Sequence, residues 1–124
     1  TTTNHLSCFQ DVLPTVAEIV GQPAPDDIDG VSFLTTLTGE GKQTTHDYLY
    51  WEFCKGENQD IFSQAVRQGK WKAYLQAKKP IELYDLEEDP YEENDLAASM
   101  PEKVEEMKKI IADAHVPLPT QKKN

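Results

Sequence analysis

Apolar and polar positions alternate in four short stretches of the chain and recur at helical spacing in three others. From Asp47 to Cys54, DYLYWEFC, the alternation is aromatic-rich and predicts a strand. Leu49, Trp51 and Phe53 fall on one face, and Tyr48, Tyr50, Glu52 and Cys54 on the other, because successive side chains of a strand point opposite ways. The stretch Gln64 to Leu86 predicts three further antiparallel strands over 64–68, 70–76 and 81–86. Gln68-Gly69 is expected as the first two-residue turn, with Gly supplying the positive φ of a tight hairpin. That register sets Val66 opposite Trp71 and Arg67 opposite Lys70. Trp71, Ala73 and Leu75 then share one face with Val66, while Arg67, Lys70 and Lys72 share the other. In the last strand Ile81, Leu83 and Asp85 oppose Glu82, Tyr84 and Leu86.

Helical spacing appears first in DVLPTVAEIVG, where Val12, Leu13, Val16, Ile19 and Val20 form a stripe. The pattern predicts a helix over 11–20, capped by Asp11 and stopped by Gly21, with Pro14 in the first turn, where its missing N–H costs nothing. After the loop QPAPDDIDG, Ser32 is expected to cap a short helix over 33–38 that ends at Gly39. The last helix is expected over 100–115, with Val104, Met107, Ile111 and Ala114 as its stripe. Ser99 and Glu102 fit a capping box with Pro101 in the first turn. Early acids (Glu102, Glu105, Glu106) and later Lys108 and Lys109 suit the macrodipole. The expected architecture is α+β: a four-stranded antiparallel sheet packed by the long C-terminal helix and preceded by a helix and a short helix. Trp71, Leu75 and Leu83 should pack against Val104, Met107 and Ile111.

A length of 124 residues with 38% hydrophobic and 27% charged positions suits one small folded domain. No run of about 18 apolar residues occurs, so no membrane span is expected. No signal-peptide pattern opens the chain, and TTTNHLSCFQ reads as the interior of a longer protein. The net charge of −10 is unevenly spread: residues 61–81 carry five bases and no acid, whereas 82–106 carry eleven acids and one base. So acidic a chain is not expected to bind nucleic acid, which needs a basic surface. The basic island at 61–81 stands out against the rest. The acids at 87–95 read as a solvated loop turned by Asp89-Pro90.

No catalytic set can be assembled from the residues. G-x-S-x-G, a Gly-rich phosphate loop and H-E-x-x-H do not occur. His5, His46 and His115 are scattered, without Cys or carboxylate at ligand spacing, and read as surface residues. Asp26, Asp27 and Asp29 read as turn formers, because the rest of a calcium loop does not follow. Cys8 and Cys54 lie outside any C-x-x-C pair and read as small apolar groups or as a disulfide. No metal site is expected.

Several segments, in order, resemble the sulfatase family. Asp11-Val12-Leu13-Pro14-Thr15 with Gly21, then Asp29-Gly30-Val31-Ser32-Phe33-Leu34, are similar to the D-x-x-P-T helix and D-G-x-S loop that close the sulfatase catalytic domain. Tyr50-Trp51-Glu52-Phe53, Gln64 to Lys72, Glu82 to Leu86, Asp89-Pro90, Glu93-Asn94 and Leu96-Ala97 are similar to the sulfatase C-terminal subdomain. The likeness divides the chain into residues 1–45, the end of the catalytic domain; 46–117, the C-terminal subdomain; and 118–124, a tail. It implies a parent that hydrolyses the sulfate esters of a glycan or an aryl compound. In that parent a formylglycine, made in a C/S-x-P/A-x-R motif, would act with calcium. Cys8 and Cys54 are followed by residues that do not fit this motif, so neither nucleophile nor cofactor is expected in this chain, and no catalytic residue is assigned. The missing catalytic domain is the expected partner, and the resemblance places such a parent in a periplasmic, secreted or lysosomal compartment. Arg67, Lys70 and Lys72, with Glu52 nearby, are the candidate contacts for an anionic sulfated ligand, with Glu82 or the 87–95 acids as the alternative reason for their charge. A free-standing acidic interaction module remains the other reading of the whole chain.

Overall fold

The computed structural model describes residues 2–55 and 61–117. The chain divides into two compact units, Thr1–Leu49 and Tyr50–Asn124. The tail expected at 118–124, and the loop expected between Lys55 and Asp60 apart from Lys55 itself, lie outside the described residues.

The first unit holds a 3₁₀ turn, Phe9–Asp11, that runs into helix α1 (Val12–Ile19), and a short helix α2 (Leu34–Thr38). Gly21 ends α1 at φ 68°, and the N–H of Gln22 reaches back to the Ala17 carbonyl at 2.9 Å. Gly39 closes α2 in the same left-handed way at φ 75°. Asp11 does not cap α1. It is itself helical (φ −77°, ψ −14°), and its carboxylate turns back to accept the Cys8 N–H at 2.8 Å. The stripe of α1 stays uncovered: Leu13 is 54% exposed, Val16 48% and Ile19 57%. Leu13 and Val16, with Phe9, Gln10, Val12 and the segment Asp27–Gly30, line a cleft of about 610 Å³.

The second unit is a four-stranded antiparallel sheet in the order β1 (Leu49–Lys55), β2 (Ile61–Gln68), β3 (Trp71–Gln76), β4 (Glu82–Asp85). Helix α3 (Pro101–Ala114) covers one face. Val66, Ala73, Ile81 and Leu83 meet Val104, Met107 and Ile111 in the core, with Trp71, Leu75, Tyr50 and Leu96 packed at its border. Burial of this kind contributes roughly 25 cal/mol for each Å² of apolar surface, so the match between sheet face and helix stripe is the main cohesive term.

The hairpin register departs from expectation by two. Val66 faces Ala73, Arg67 faces Lys72 and Gln68 faces Trp71, so the turn is Gly69-Lys70. The positive φ (56°) then falls on the first central residue, where type II′ hairpins put glycine. A shift of two leaves the side-chain parity intact, so every residue of both strands keeps its expected face. Lys70 is the exception, because it leaves the strand for the turn.

Two end effects also differ. Ser99 does not form a capping box: its hydroxyl donates to the Leu96 carbonyl at 3.0 Å, and Met100 takes the cap position ahead of Pro101. The last turn of α3 carries no base. Lys108 instead pairs with Glu105 at 2.7 Å, and Lys103 with Glu106 at 2.6 Å.

The acidic segment after β4 does more than meet solvent. Asp89 accepts the N–H groups of Glu93 (3.1 Å) and Asn94 (2.8 Å), folding the segment back along the strand. Leu96 then donates its N–H to the Leu83 carbonyl at 2.8 Å, so the segment occupies the outer edge of β4.

Candidate functional site

The four candidate ligand contacts separate into three places. Arg67 and Lys72 stand directly opposite each other on the sheet face away from α3. Like charges so placed repel, and Lys72 is relieved by Glu92, whose carboxylate grips Nζ with both oxygens at 2.6 and 2.7 Å. Glu92 sits at φ 59°, a left-handed conformation that aims its side chain back at the sheet. The acids of the 87–95 segment therefore supply the offset, whereas Glu82 accepts from the Tyr84 hydroxyl at 2.8 Å. Burial, then Glu82, pushes the Tyr84 phenol up to about 12. Arg67 donates through Nε to the Gly69 carbonyl at 3.2 Å, and among the described residues no carboxylate lies within ion-pair distance of it.

Lys70 lies apart from this pair. From the turn its Nζ reaches Asp85 Oδ2 at 2.6 Å and stands 5.0 Å from the centre of the Trp71 ring. Glu52 occupies a third place, on the α3 side of the sheet. It accepts from the Tyr50 hydroxyl at 2.6 Å and pairs with His115 Nδ1 at 2.8 Å. Gln64 donates to the Tyr50 oxygen at 2.7 Å and completes the chain. Tyr50 and His115 hold the Glu52 carboxyl below its usual range, while burial and Glu52 push the Tyr50 phenol up to about 12. His115 is thus a tie between the end of α3 and β1, not a free surface residue.

In the first unit the D-x-x-P-T residues act as a clamp. Asp11, fully buried, accepts the Val31 N–H through Oδ1 at 2.8 Å. The Thr15 hydroxyl donates to the Asp11 carbonyl at 2.6 Å and accepts the Phe33 N–H at 3.0 Å. Ser32 donates to the Glu18 carboxylate. Two amides of the loop, Val31 and Phe33, thereby find partners on the 3₁₀ turn and on α1. Just before them Gly30 runs so close that a Cβ there would stand 2.2 Å from the Gln10 carbonyl oxygen, which explains the residue type.

His46 joins this clamp, contrary to its reading as a surface residue. Its Nε2 lies 2.7 Å from Asp11 Oδ1, with the side chain only 9% exposed. Burial raises the Asp11 carboxyl, but the N–H groups of Val31 and Cys8, together with His46, outweigh it and hold the group below its usual range. Cys8 completes a trio: its sulfur, an Asp11 oxygen and a His46 nitrogen lie within 4.8 Å of one another. Nothing in the local sequence marks this, because His46 is 35 positions from Asp11. Burial and the Asp11 charge push the Cys8 thiol up. Cys8 and Cys54 are both free thiols. His5 has its Nε2 enclosed without a partner among the described residues. A thiol, an imidazole and one carboxylate are not the all-oxygen set that calcium takes, so the calcium implied by resemblance does not fit here. No helix of the described residues is long and apolar enough to cross a membrane.

Residues 1–121 match the family described as N-sulphoglucosamine sulphohydrolase, C-terminal. Arylsulfatase A of Bos taurus is 32% identical over 81% of the chain and 24% of its own length. The ulvan-active sulfatase of Formosa agariphila is 31% identical over 79% of the chain and 26% of its own length. A solved 2-O GAG sulfatase superimposes with a TM-score of 0.74 at 27% identity, covering 83% of the chain and 23% of that structure. The chain thus spans about a quarter of the length of the relatives it matches.

Proposed function

The chain belongs to the sulfatase C-terminal family, and from that premise we propose that it serves as the C-terminal subdomain of a sulfate-ester hydrolase, closing the catalytic domain and shaping the substrate entrance. The family match over residues 1–121, against relatives more than three times as long, carries this reading. The uncovered stripe of α1 supports it: an apolar row of this extent on a small unit suits the packing surface of a larger domain. The catalytic domain is its intramolecular partner, and a sulfated glycan or aryl sulfate is the substrate class. Formylglycine and calcium belong to that domain, since the residues of this chain fit neither.

Arg67 is the strongest of the four candidate contacts for the substrate's anionic groups. Its guanidinium keeps donors uncommitted among the described residues, and its planar fork matches an oxyanion in two hydrogen bonds. Lys72 stands opposite it but is held by Glu92. Lys70 and Glu52, committed to Asp85 and to Tyr50 with His115, act on the shape of the sheet instead.

The test is direct. The reading frame upstream of Thr1 should encode C/S-x-P/A-x-R, and the complete protein should hydrolyse sulfate esters, while the 124-residue chain alone leaves a chromogenic aryl sulfate intact. A complete protein with neither the motif nor the activity would overturn the reading. So would chelation-resistant turnover by the chain alone.

A further inference from the structure

We propose that Cys8, Asp11 and His46 form a binding site for one thiophilic divalent cation of the zinc class. The three donor atoms lie within 4.8 Å of one another. Ligands around tetrahedral zinc, at bonds of 2.0–2.3 Å, stand about 3.5 Å apart. The trio therefore needs to close by at most about 1.3 Å at its widest and to open by about 0.8 Å between His46 and Asp11, shifts within reach of side-chain rotation.

The frame that carries the trio is already built. Cys8 and Asp11 are locked in one turn by two hydrogen bonds, Asp11 N–H to the Cys8 carbonyl at 3.1 Å and Cys8 N–H to Asp11 Oδ2 at 2.8 Å. Val31 fixes the other carboxylate oxygen at 2.8 Å. A carboxylate oxygen that accepts one backbone N–H keeps a lone pair for a metal. Partners of this kind are what hold a metal-binding side chain in orientation.

Charge also favours the cation. The His46 nitrogen and the Asp11 oxygen now meet at 2.7 Å across a proton. A divalent ion would take that place: the Cys8 thiol would give its one proton to solvent, and a neutral His46 imidazole would carry its proton on Nδ1, leaving the Nε2 lone pair for the metal. Thiolate, carboxylate and neutral imidazole then carry two negative charges against the ion's two positive ones, leaving a neutral site in a buried place. One sulfur, one nitrogen and one oxygen suit zinc or cobalt, whereas calcium takes oxygen alone. Three protein ligands leave a fourth position for water.

Cobalt(II) is the probe. Titrated into the 124-residue chain, it should bind one ion per chain and give a near-ultraviolet sulfur-to-cobalt absorption band that zinc abolishes by displacement and calcium does not. Cys8→Ser should remove the band and Cys54→Ser should keep it. His46→Gln should weaken binding by more than the roughly 10–100-fold that loss of an outer-shell partner costs. Absence of a saturable band, a band that survives Cys8→Ser, or one lost with Cys54→Ser would overturn the proposal. Should His46→Gln loosen the fold, Cys8→Ser decides alone, because Cys8 enters its turn through backbone N–H and carbonyl groups, both of which serine retains.

Discussion

Asp95 Oδ1 accepts the backbone N–H of Leu83 at 3.0 Å, closing the edge of β4 from twelve residues away. Leu83 is fully buried, whereas Asp95 lies on the exposed side of the bond. Asp95→Ala should therefore cost about 0.5–1.5 kcal/mol, the usual net worth of one hydrogen bond. Asp95→Asn, which keeps the acceptor, should recover most of it. Urea midpoints of the three proteins check this, and equal midpoints for Ala and Asn would deny the hydrogen bond its role.

Ile111 and Met107 are the points where α3 enters the core against Leu83 and Val66. Ile111→Ala should lower stability by about 2–5 kcal/mol, as large-to-small changes in packed cores do. Unfolding followed by Trp71 fluorescence reads the loss directly, because Trp71 borders the same core.

Gly30 leaves no room for a side chain beside the Gln10 carbonyl. Gly30→Ala forces the loop off α1 and should cost about 1–3 kcal/mol, as overpacking does. Faster hydrogen exchange at the Val31 and Phe33 amides is the specific sign, since these are the groups that Asp11 and Thr15 hold.

The Lys70–Asp85 pair sets an acid limit. Lys70 holds the Asp85 carboxyl below its usual range, and Asp85 in turn raises the Lys70 ammonium. A depressed carboxylate stabilises the fold above its unfolded value near 3.9, and that stability is lost as pH falls through the lower folded value. The raised ammonium contributes fully below its unfolded value near 10.4 and loses its contribution as pH rises through the folded one. Asp85→Asn should therefore flatten the fall of stability below about pH 4. Lys70 is 41% exposed, so the effect is screened and should shrink further with salt.

Arg67→Ala in the complete protein should raise KM for a sulfated glycan more than for a small aryl sulfate, because an extended ligand reaches farther over the sheet. Equal changes for both substrates, or a loss confined to thermal stability, would reduce Arg67 to a structural role.

Side-chain parity made the sheet legible and left its register open. Trp71, Ala73, Leu75 and Val66 were bound to one face by alternation alone, but two turns one residue apart satisfy the same parity, and only the position of the positive φ at Gly69 separates them. The stripe of α3 was readable because Val104, Met107 and Ile111 recur at helical spacing. Asp11, Thr15 and Asp95 were harder, since each side chain serves a distant backbone amide and leaves no periodic mark. The D-x-x-P-T and D-G-x-S motifs did mark the first two positions, though not the bonds they make. His46 had no comparable signal. Its partner lies in another element, and the apolar-polar pattern around it is that of a connecting segment. The separation of Glu52 from Arg67 was hidden for a related reason: which face of β1 meets α3 depends on His115, just past the end of α3, reaching Glu52 across the unit.

The strand order β1-β2-β3-β4 repeats the order of the chain. Each strand thus finds its neighbour next in sequence, and every pairing closes only a short loop. Loop-closure entropy grows with the length enclosed, and folding slows as contacts become more distant. The β2–β3 hairpin, joined by two residues, can pair before anything else in its unit. Helix α3 comes last and carries the apolar row that the sheet needs, so the sheet should zip early and remain marginal until the helix docks on it.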